Sequence, residues 1–371
     1  MALTRAAARN EVTQWVKDFY TEYVRKNRYA KYMGKTSNNI IQFQEDLSTK
    51  KGLQIVFSLV NALSGEGVMG SETLEGAEEG LNNDGMAVPV KYIRNAVAVD
   101  DEEDAKTLID FLKAAKPALM NWMMERTRTH IITAQMSTNG YAYLASQAVK
   151  NPVYSEVATE TIKDAWLAAN SDRVLFGSAK SNNSANDHSA SLANIDNTND
   201  KMSPSIGRLA KRMAQAASPK IHPTIVEDER EQFVFFLNAN AWRDFSQNSE
   251  TVQTLRDAGN RGAKNRLFTA GDIIMDNIIY REIPEIPNIG LVGAGSIQVG
   301  VNFFCGVQDV GHAVAVRPTP ISDTRDFGFV KGAGIKERRG TAKLMFKDPD
   351  SPTTLKDHGQ VTVYAASVDD V

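Results

Sequence analysis

"LSGEGVMGSETLEGAEEGLNNDG", Leu63–Gly85, sets Gly65, Gly67 and Gly70 in a G-x-G-x-x-G spacing directly after the apolar run "LQIVFSLV", Leu53–Val60. A strand that enters such a turn is the fingerprint of a dinucleotide site, provided that a helix starts at the third glycine and points its N–H groups at a pyrophosphate. The residues after Gly70 do not suit that helix. Gly76 and Gly80 would each cost a helix interior roughly 1 kcal/mol relative to alanine. The only apolar stripe is Leu74, Ala77 and Leu81, too thin to dock a crossover helix. Between Gly52 and Val90 there is no Lys or Arg, whereas Glu66, Glu72, Glu75, Glu78, Glu79 and Asp84 are acidic. Carboxylates around the glycines repel a pyrophosphate. The stretch therefore reads as a long acidic loop joining "LQIVFSLV" to "MAVPVKYI", an extended hairpin, and loops of this length are commonly functional.

The rest of the composition is that of a globular chain. With 371 residues there is room for two or three domains, and 42% hydrophobic residues supply a sizeable core. A net charge of -3 gives no basic footprint for tight nucleic-acid binding. The single cysteine, Cys305, excludes an intramolecular disulfide and fits a reducing cytoplasm. The N-terminal residues hold no apolar core of signal-peptide length, so export is not expected. Ile286–Gln308 is uncharged, but its prolines, glycines and asparagines punctuate it like short strands rather than a membrane helix.

Along the chain, Val12, Trp15, Val16, Phe19, Tyr20, Tyr23 and Val24 form one helical stripe, which serves an own core or a neighbour equally well. Asp100–Asp104 crowd acids onto the start of a long helix with Leu108, Ile109, Leu112, Leu119, Trp122 and Met123 inward and Arg126, Arg128 and His130 at its far end. Pro117 is expected to kink that helix or begin its second half. Further helices are expected over Ser155–Ala169, after Ser203 as cap with Pro204 at the first position, and from Ser249 to Gly259. Ser178–Asp200 is rich in Ser, Asn and Asp and reads as a flexible loop. "EQFVFFLN" is a buried strand, "GDIIMDNIIYREIP" a strand with a turn at Asp276–Asn277, and the remainder of the chain reads as strands. No catalytic constellation emerges. The five histidines are isolated, with His188 expected in solvent, Cys305 reads as a small buried hydrophobe, and the acids at Asp100–Asp104 cannot converge on calcium.

"YAKYMGKTSNNIIQFQEDLSTKKGLQIVFSLV", "EGVMGSETLEGAEEGL", "SDRVLFGSA", "FVFFLNANAWRDF", "GAKNRLFTAGDIIMDNIIYREIPEIP" and "DFGFVKGAGIKERRGTAKLMF" occur in that order. In these segments the chain resembles the N-four-like coat proteins among the major capsid proteins of tailed phages. The resemblance implies an α+β fold of the Hong Kong ninety-seven type. It would have an N-terminal arm over 1–37, an extended loop over 38–99 and a peripheral domain with a spine helix and polar loop over 100–202. An axial domain over 203–321 and a return to the peripheral domain over 322–371 would complete it. It implies a non-enzymatic shell protein without cofactor or metal, assembled in the host cytoplasm as hexamers and pentamers. Portal, scaffolding and decoration proteins and non-specifically contacted double-stranded DNA are the implied partners, with no membrane. Some members crosslink through a lysine in the extended loop, and this chain has none between Gly52 and Val90, so a non-covalent shell is expected. The alternatives are a decoration or tail component or, on the glycine spacing alone, an oxidoreductase. Expected inter-subunit contacts are Trp15 and Phe19, the acids Glu66, Glu72, Glu75, Glu78 and Glu79, and as their basic partners Arg126, Arg128, Lys336, Arg338 and Arg339.

Overall fold

A computed structural model describes residues 28–45, 52–60, 67–71, 73–76, 78–79, 83–106, 111–142, 158–226, 230–260, 268–269, 272–348 and 351–370. After a 3-10 turn at Arg28–Tyr32 come β1 (Met33–Gly34), β2 (Ile41–Gln44), β3 (Gln54–Val60), β4 (Asn83–Pro89) and β5 (Lys91–Asp100). Helices α1 (Asp101–Ala105), α2 (Phe111–Met136) and α3 (Glu160–Ala169) follow, then β6 (Val174–Phe176), α4 (His188–Ala193) and α5 (Pro204–Ala216). Next are β7 (Thr224–Val226), β8 (Arg230–Leu237), α6 (Ala239–Gln247), α7 (Ser249–Asn260), β9 (Phe268–Thr269), β10 (Asp272–Met275) and β11 (Ile278–Glu282). The chain closes with β12 (Asn288–Leu291), β13 (Gln298–Cys305), β14 (Val310–Arg325), β15 (Val330–Lys343), β16 (Met345–Asp348), β17 (Ser351–Asp357) and β18 (Gln360–Ala366).

Contacts divide the chain into two compact units. The larger takes Arg28–Lys91, Arg128–Ala315 and Arg339–Val371. Its centre is a sheet of order β6-β18-β13-β8-β11-β10-β9, with β12 on β13 and β7 on β8. Alternate residues of β8 enter two different apolar clusters, Val234 and Phe236 on one side and Phe233, Phe235 and Leu237 on the other. A strand buried on both faces has no polar alternation, which is why "FVFFL" is an unbroken apolar run. Ile206, Ala210, Met213 and Ala214 of α5 cover one face. The spacing i, i+4, i+7, i+8 puts them on one helix side. Gly207 lies there because a Cβ would sit 2.1 Å from the Tyr280 hydroxyl. Ile131, Ile132 and Met136 of α2 and Trp166 and Leu167 of α3 join the other cluster. Tyr29 and Tyr32 enter it too, edge-on to Phe236 at 4.9 and 5.4 Å between ring centroids.

The smaller unit is built from Tyr92–Thr127 and Val316–Arg338. Its core is small: Ala115, Leu119 and Met123 of α2 against Ala333 and Ile335 of β15, flanked by Ile93, Leu112 and Trp122. A second sheet has the order β1-β2-β14-β15-β5.

Local signals explain several boundaries. Asp276 and Asn277 hold φ of 53° and 63°, forming a two-residue turn that pairs Met275 with Ile278. Asn is among the residues that tolerate this left-handed region best. Pro204 begins α5 with Ser203 before it, although the Ser203 side chain makes no capping bond. Asp100 caps α1, its carboxylate accepting the Glu103 N–H at 2.7 Å. The expected single helix from Asp101 is described as α1 and α2, and α2 runs through Pro117. Leu108 and Ile109 lie outside the described residues, as does the start of the helix expected from Ser155.

Ser178–Asp200 corrects the sequence reading. It is a built piece of the large unit, with a 3-10 turn at Lys180–Asn182 and α4. Asp200 is buried and accepts the N–H groups of Ser178 and Asp196 at 2.7 and 2.9 Å. Asp187 accepts the Ala190 N–H at 2.8 Å and caps α4. Short polar side chains here bond the backbone instead of solvent. His188, expected in solvent, is buried edge-on to Tyr364, and burial lowers its pKa to about 4.

Candidate inter-subunit surfaces

The acidic glycine stretch connects two strands in register, with Gln54 opposite Pro89 and Val60 opposite Asn83. Strand alternation sends Ile55, Phe57, Met86 and Val88 into the large unit's core. On the other strand face Val56 and Val60 remain exposed, and Leu53, just before β3, is 81% exposed. Between the strands Met69 and Leu74 are also exposed. Gly67, Gly70 and Gly76 have φ of 69°, 70° and 89°, so these glycines sit in left-handed bends. The described residues from 71 to 79 form turns and irregular backbone, not the helix a pyrophosphate site requires. Glu75, Glu78 and Glu79 are exposed, and the Glu78 carboxylate accepts the Gly76 N–H at 2.8 Å. Glu66 and Glu72, like Trp15 and Phe19, lie outside the described residues.

The expected basic partners separate into two groups. Arg126 is exposed on α2, and Lys336 and Arg338 are half-buried, with the Arg338 guanidinium 5.7 Å from the Tyr92 ring centroid. Arg128 and Arg339 are buried, which corrects their assignment to a docking surface. Arg128 pairs with Glu285 at 3.3 Å. Arg339 belongs to an inward row of β15, with Glu337, Thr341 and Lys343, all buried. A guanidinium committed inside its own subunit is not presented to a neighbour.

Lys343 of that row meets Asp357 at 2.7 Å, both almost fully buried. Nearby, Gln135 donates to the Asp309 carboxylate at 2.7 Å and lies 3.5 Å from the Cys305 sulfur. Burial raises Asp309 to about 6 and pushes the Cys305 thiol up. All of these groups are buried within the subunit. The carboxylates of Glu160, Asp164 and Asp187 converge within 4.8 Å, but they serve the backbone: they accept the N–H groups of Ser189, His188 and Ala190.

The small unit presents the surface that the sequence reading missed. Phe111, Met120, Met124, Ile321, Phe327 and Phe329 are large apolar residues left exposed. Lys116, Leu119, Met120, Pro320, Ile321 and Ile335 line a cavity of about 440 Å³. "DFGF" between two strands was the available signal, since Asp and Gly promise a turn and leave the aromatics nowhere to bury. Among the described residues no helix is long and apolar enough to cross a membrane.

Comparison with known proteins agrees over almost the whole chain. The model of the family described as phage capsid protein matches residues 4–369. The major capsid protein of Pseudomonas phage KPP25 is 23% identical over 374 residues, covering 96% of this chain and 95% of that one. The capsid asymmetric unit of cyanophage Pam1 superposes with a TM-score of 0.85 at 30% identity, covering 100% of both chains. The capsid of Ralstonia phage GP4 gives 0.74 at 18% identity, again over 100% of both.

Proposed function

The chain belongs to the phage capsid protein family, with the Hong Kong ninety-seven-type fold and the role of a tailed-phage major capsid protein, and on that premise we propose how its surfaces assemble. Many copies form the virion shell, an icosahedral head of hexamers and pentamers around double-stranded DNA. It assembles in the host cytoplasm with portal and scaffolding proteins, and its work is structural rather than catalytic. The β3–β4 hairpin is the extended loop that crosses to a neighbour, the smaller unit is the peripheral domain, and the central sheet of the larger unit with its covering helices is the axial domain. Of the arm expected over 1–37, Tyr29 and Tyr32 are packed in the larger unit's own core.

The observation that carries this reading is the two-sided hairpin: Ile55 and Phe57 buried at home, Val56 and Val60 left open beside an acidic tip. An isolated hairpin of this kind is marginal in water and gains by covering its second face. Glu75, Glu78 and Glu79 dock on a basic patch of the next copy, for which Arg126, Lys336 and Arg338 qualify. Each exposed pair contributes only ~0.2–1 kcal/mol, but the shell repeats it in every subunit. Electron microscopy of the purified chain tests the reading, with closed shells expected. Changing Glu75, Glu78 and Glu79 to lysine should impair closure most at low salt, where exposed charges are least screened. Wild-type protein that stays unassembled under all conditions would remove the proposal.

A further inference from the structure

The turn between β14 and β15 holds three successive left-handed residues, Asp326, Phe327 and Gly328, at φ 51°, 52° and 102°. Such a backbone is ordinary for glycine and unfavourable for a phenylalanine. The Phe327 side chain gains nothing at home in exchange, being 110% exposed. A few residues down the same ribbon is a cavity of about 220 Å³ lined by Val97, Ala98, Ile321, Val330, Asp323 and Arg325, among others. Its walls are mainly apolar, and its rim carries the exposed Arg325–Asp323 pair at 2.6 Å.

We propose that Phe327 of one copy of this chain seats in the ribbon cavity of the next copy. Knob and hole lie on one ribbon end, separated by two to six residues on β14, which at ~3.3 Å per residue is about 7–20 Å. Copies that gather their ribbon ends about an axis can therefore each give a ring and receive one. A head-to-tail contact of this kind does not stop at a dimer, and it closes into a ring where the rotation between copies divides a full turn. Charge fits the same occupant: Asp326 beside the knob approaches Arg325 on the rim of the next copy, and that rim's Asp323 can turn to the incoming Arg325. An aromatic seated in a desolvated pocket is the usual form of an interface anchor. The inference rests on the capsid reading for the presence of many copies, and it adds the residue and the receptor through which they join.

The test is a disulfide trap in the full-length chain carrying Asp326→Cys and Ala98→Cys, which keeps the Phe327 ring. Cys305 is buried and does not compete. After mild oxidation, assembled protein should give a non-reducing ladder ending in closed oligomers. Ala98→Cys alone should give none, and Asp326→Cys alone no ladder beyond a dimer. Shells without a ladder would overturn this contact and leave the capsid reading intact. A ladder from concentrated protein that forms no shells would sustain the contact and remove the capsid reading. Neither product would remove both. Phe327→Asp provides a second reading should the double variant misfold: its subunit should melt within about 1 °C of wild type, because the ring is fully exposed among the described residues. Its assembly threshold should rise at least tenfold. An unchanged threshold would overturn the proposal.

Discussion

The inner and outer parts of β14 and β15 are the same two strands in different surroundings. Val310–Ala315 is buried throughout, and so is the inner end of β15 from Arg339 to Lys343. From Arg317 to Arg325 every residue of β14 is exposed. The inner half even hides polar groups: His312 meets the Thr341 hydroxyl at 2.9 Å, and Lys343 meets Asp357. The outer half does the reverse and shows apolar groups to solvent, ending in Phe327. A ladder of backbone bonds thus defines a strand, but it does not decide what the strand is for. Burial makes the inner half a part of the subunit's own stability, and exposure leaves the outer half adding little to it.

Lys343→Met should break the inner half most severely. It leaves Asp357 buried without its ammonium, and removing one partner of a buried pair costs about 3–5 kcal/mol. A urea midpoint close to wild type would show that the inner half is not held by the pair. Lys343→Met with Asp357→Leu should recover most of the loss.

His312 sharpens the comparison through pH. Burial, with Arg339 nearby as the lesser cause, lowers its pKa to about 3. The unfolded chain takes up that proton near pH 6.5. The stability from keeping His312 neutral is therefore complete above pH 6.5 and drains away as pH falls toward 3. By pH 4.5 the loss from this one group is roughly 2–3 kcal/mol. His312→Gln should flatten that part of the urea-midpoint profile, while a profile parallel to wild type would place the acid sensitivity elsewhere. Neither Tyr92–Thr127 nor Val316–Arg338 contains a histidine, so the smaller unit has no such slope of its own.

Leu119→Ala tests the smaller core, where Leu119 packs on Ala333 and Ile335 of outer β15. Large-to-small changes in cores cost 2–5 kcal/mol, and a cluster this thin, next to open surface, should relax to about 2 kcal/mol. A loss of about 5 kcal/mol would mean that the smaller unit is as tightly packed as the larger. Met120→Ser, one residue on and exposed, should move subunit stability by less than about 0.5 kcal/mol. Its effect, if the outer half serves neighbours, is confined to assembly, and light scattering against concentration would separate the two.

The strands of the inner core were legible because "FVFFL" has no other reading at that length. The hairpin turn at Asp276–Asn277 was legible because few residues accept left-handed backbone. The hairpin's charge was also plain in the sequence. What could not be read was direction. In "KERRGTAK" the period-two pattern of β15 points Glu337, Arg339, Thr341 and Lys343 inward, against the ordinary rule that charges face water, so Arg339 looked like surface. Ser178–Asp200 misled for a related reason. Its composition is that of a loop, but in the fold Asp187 and Asp200 spend their carboxylates on neighbouring N–H groups.

Cys305 has a use that follows from its enclosure. It is the one thiol in 371 residues, fully buried on β13 beside Gln135 and Asp309. A reagent in solution can reach it only when the central sheet opens, so its labelling rate at low reagent concentration is a clock for that opening. Where closing is fast relative to labelling, the rate reports the free energy of the open state. The same measurement on free subunits and on closed shells would give, without any added probe, the amount by which neighbours hold the sheet shut.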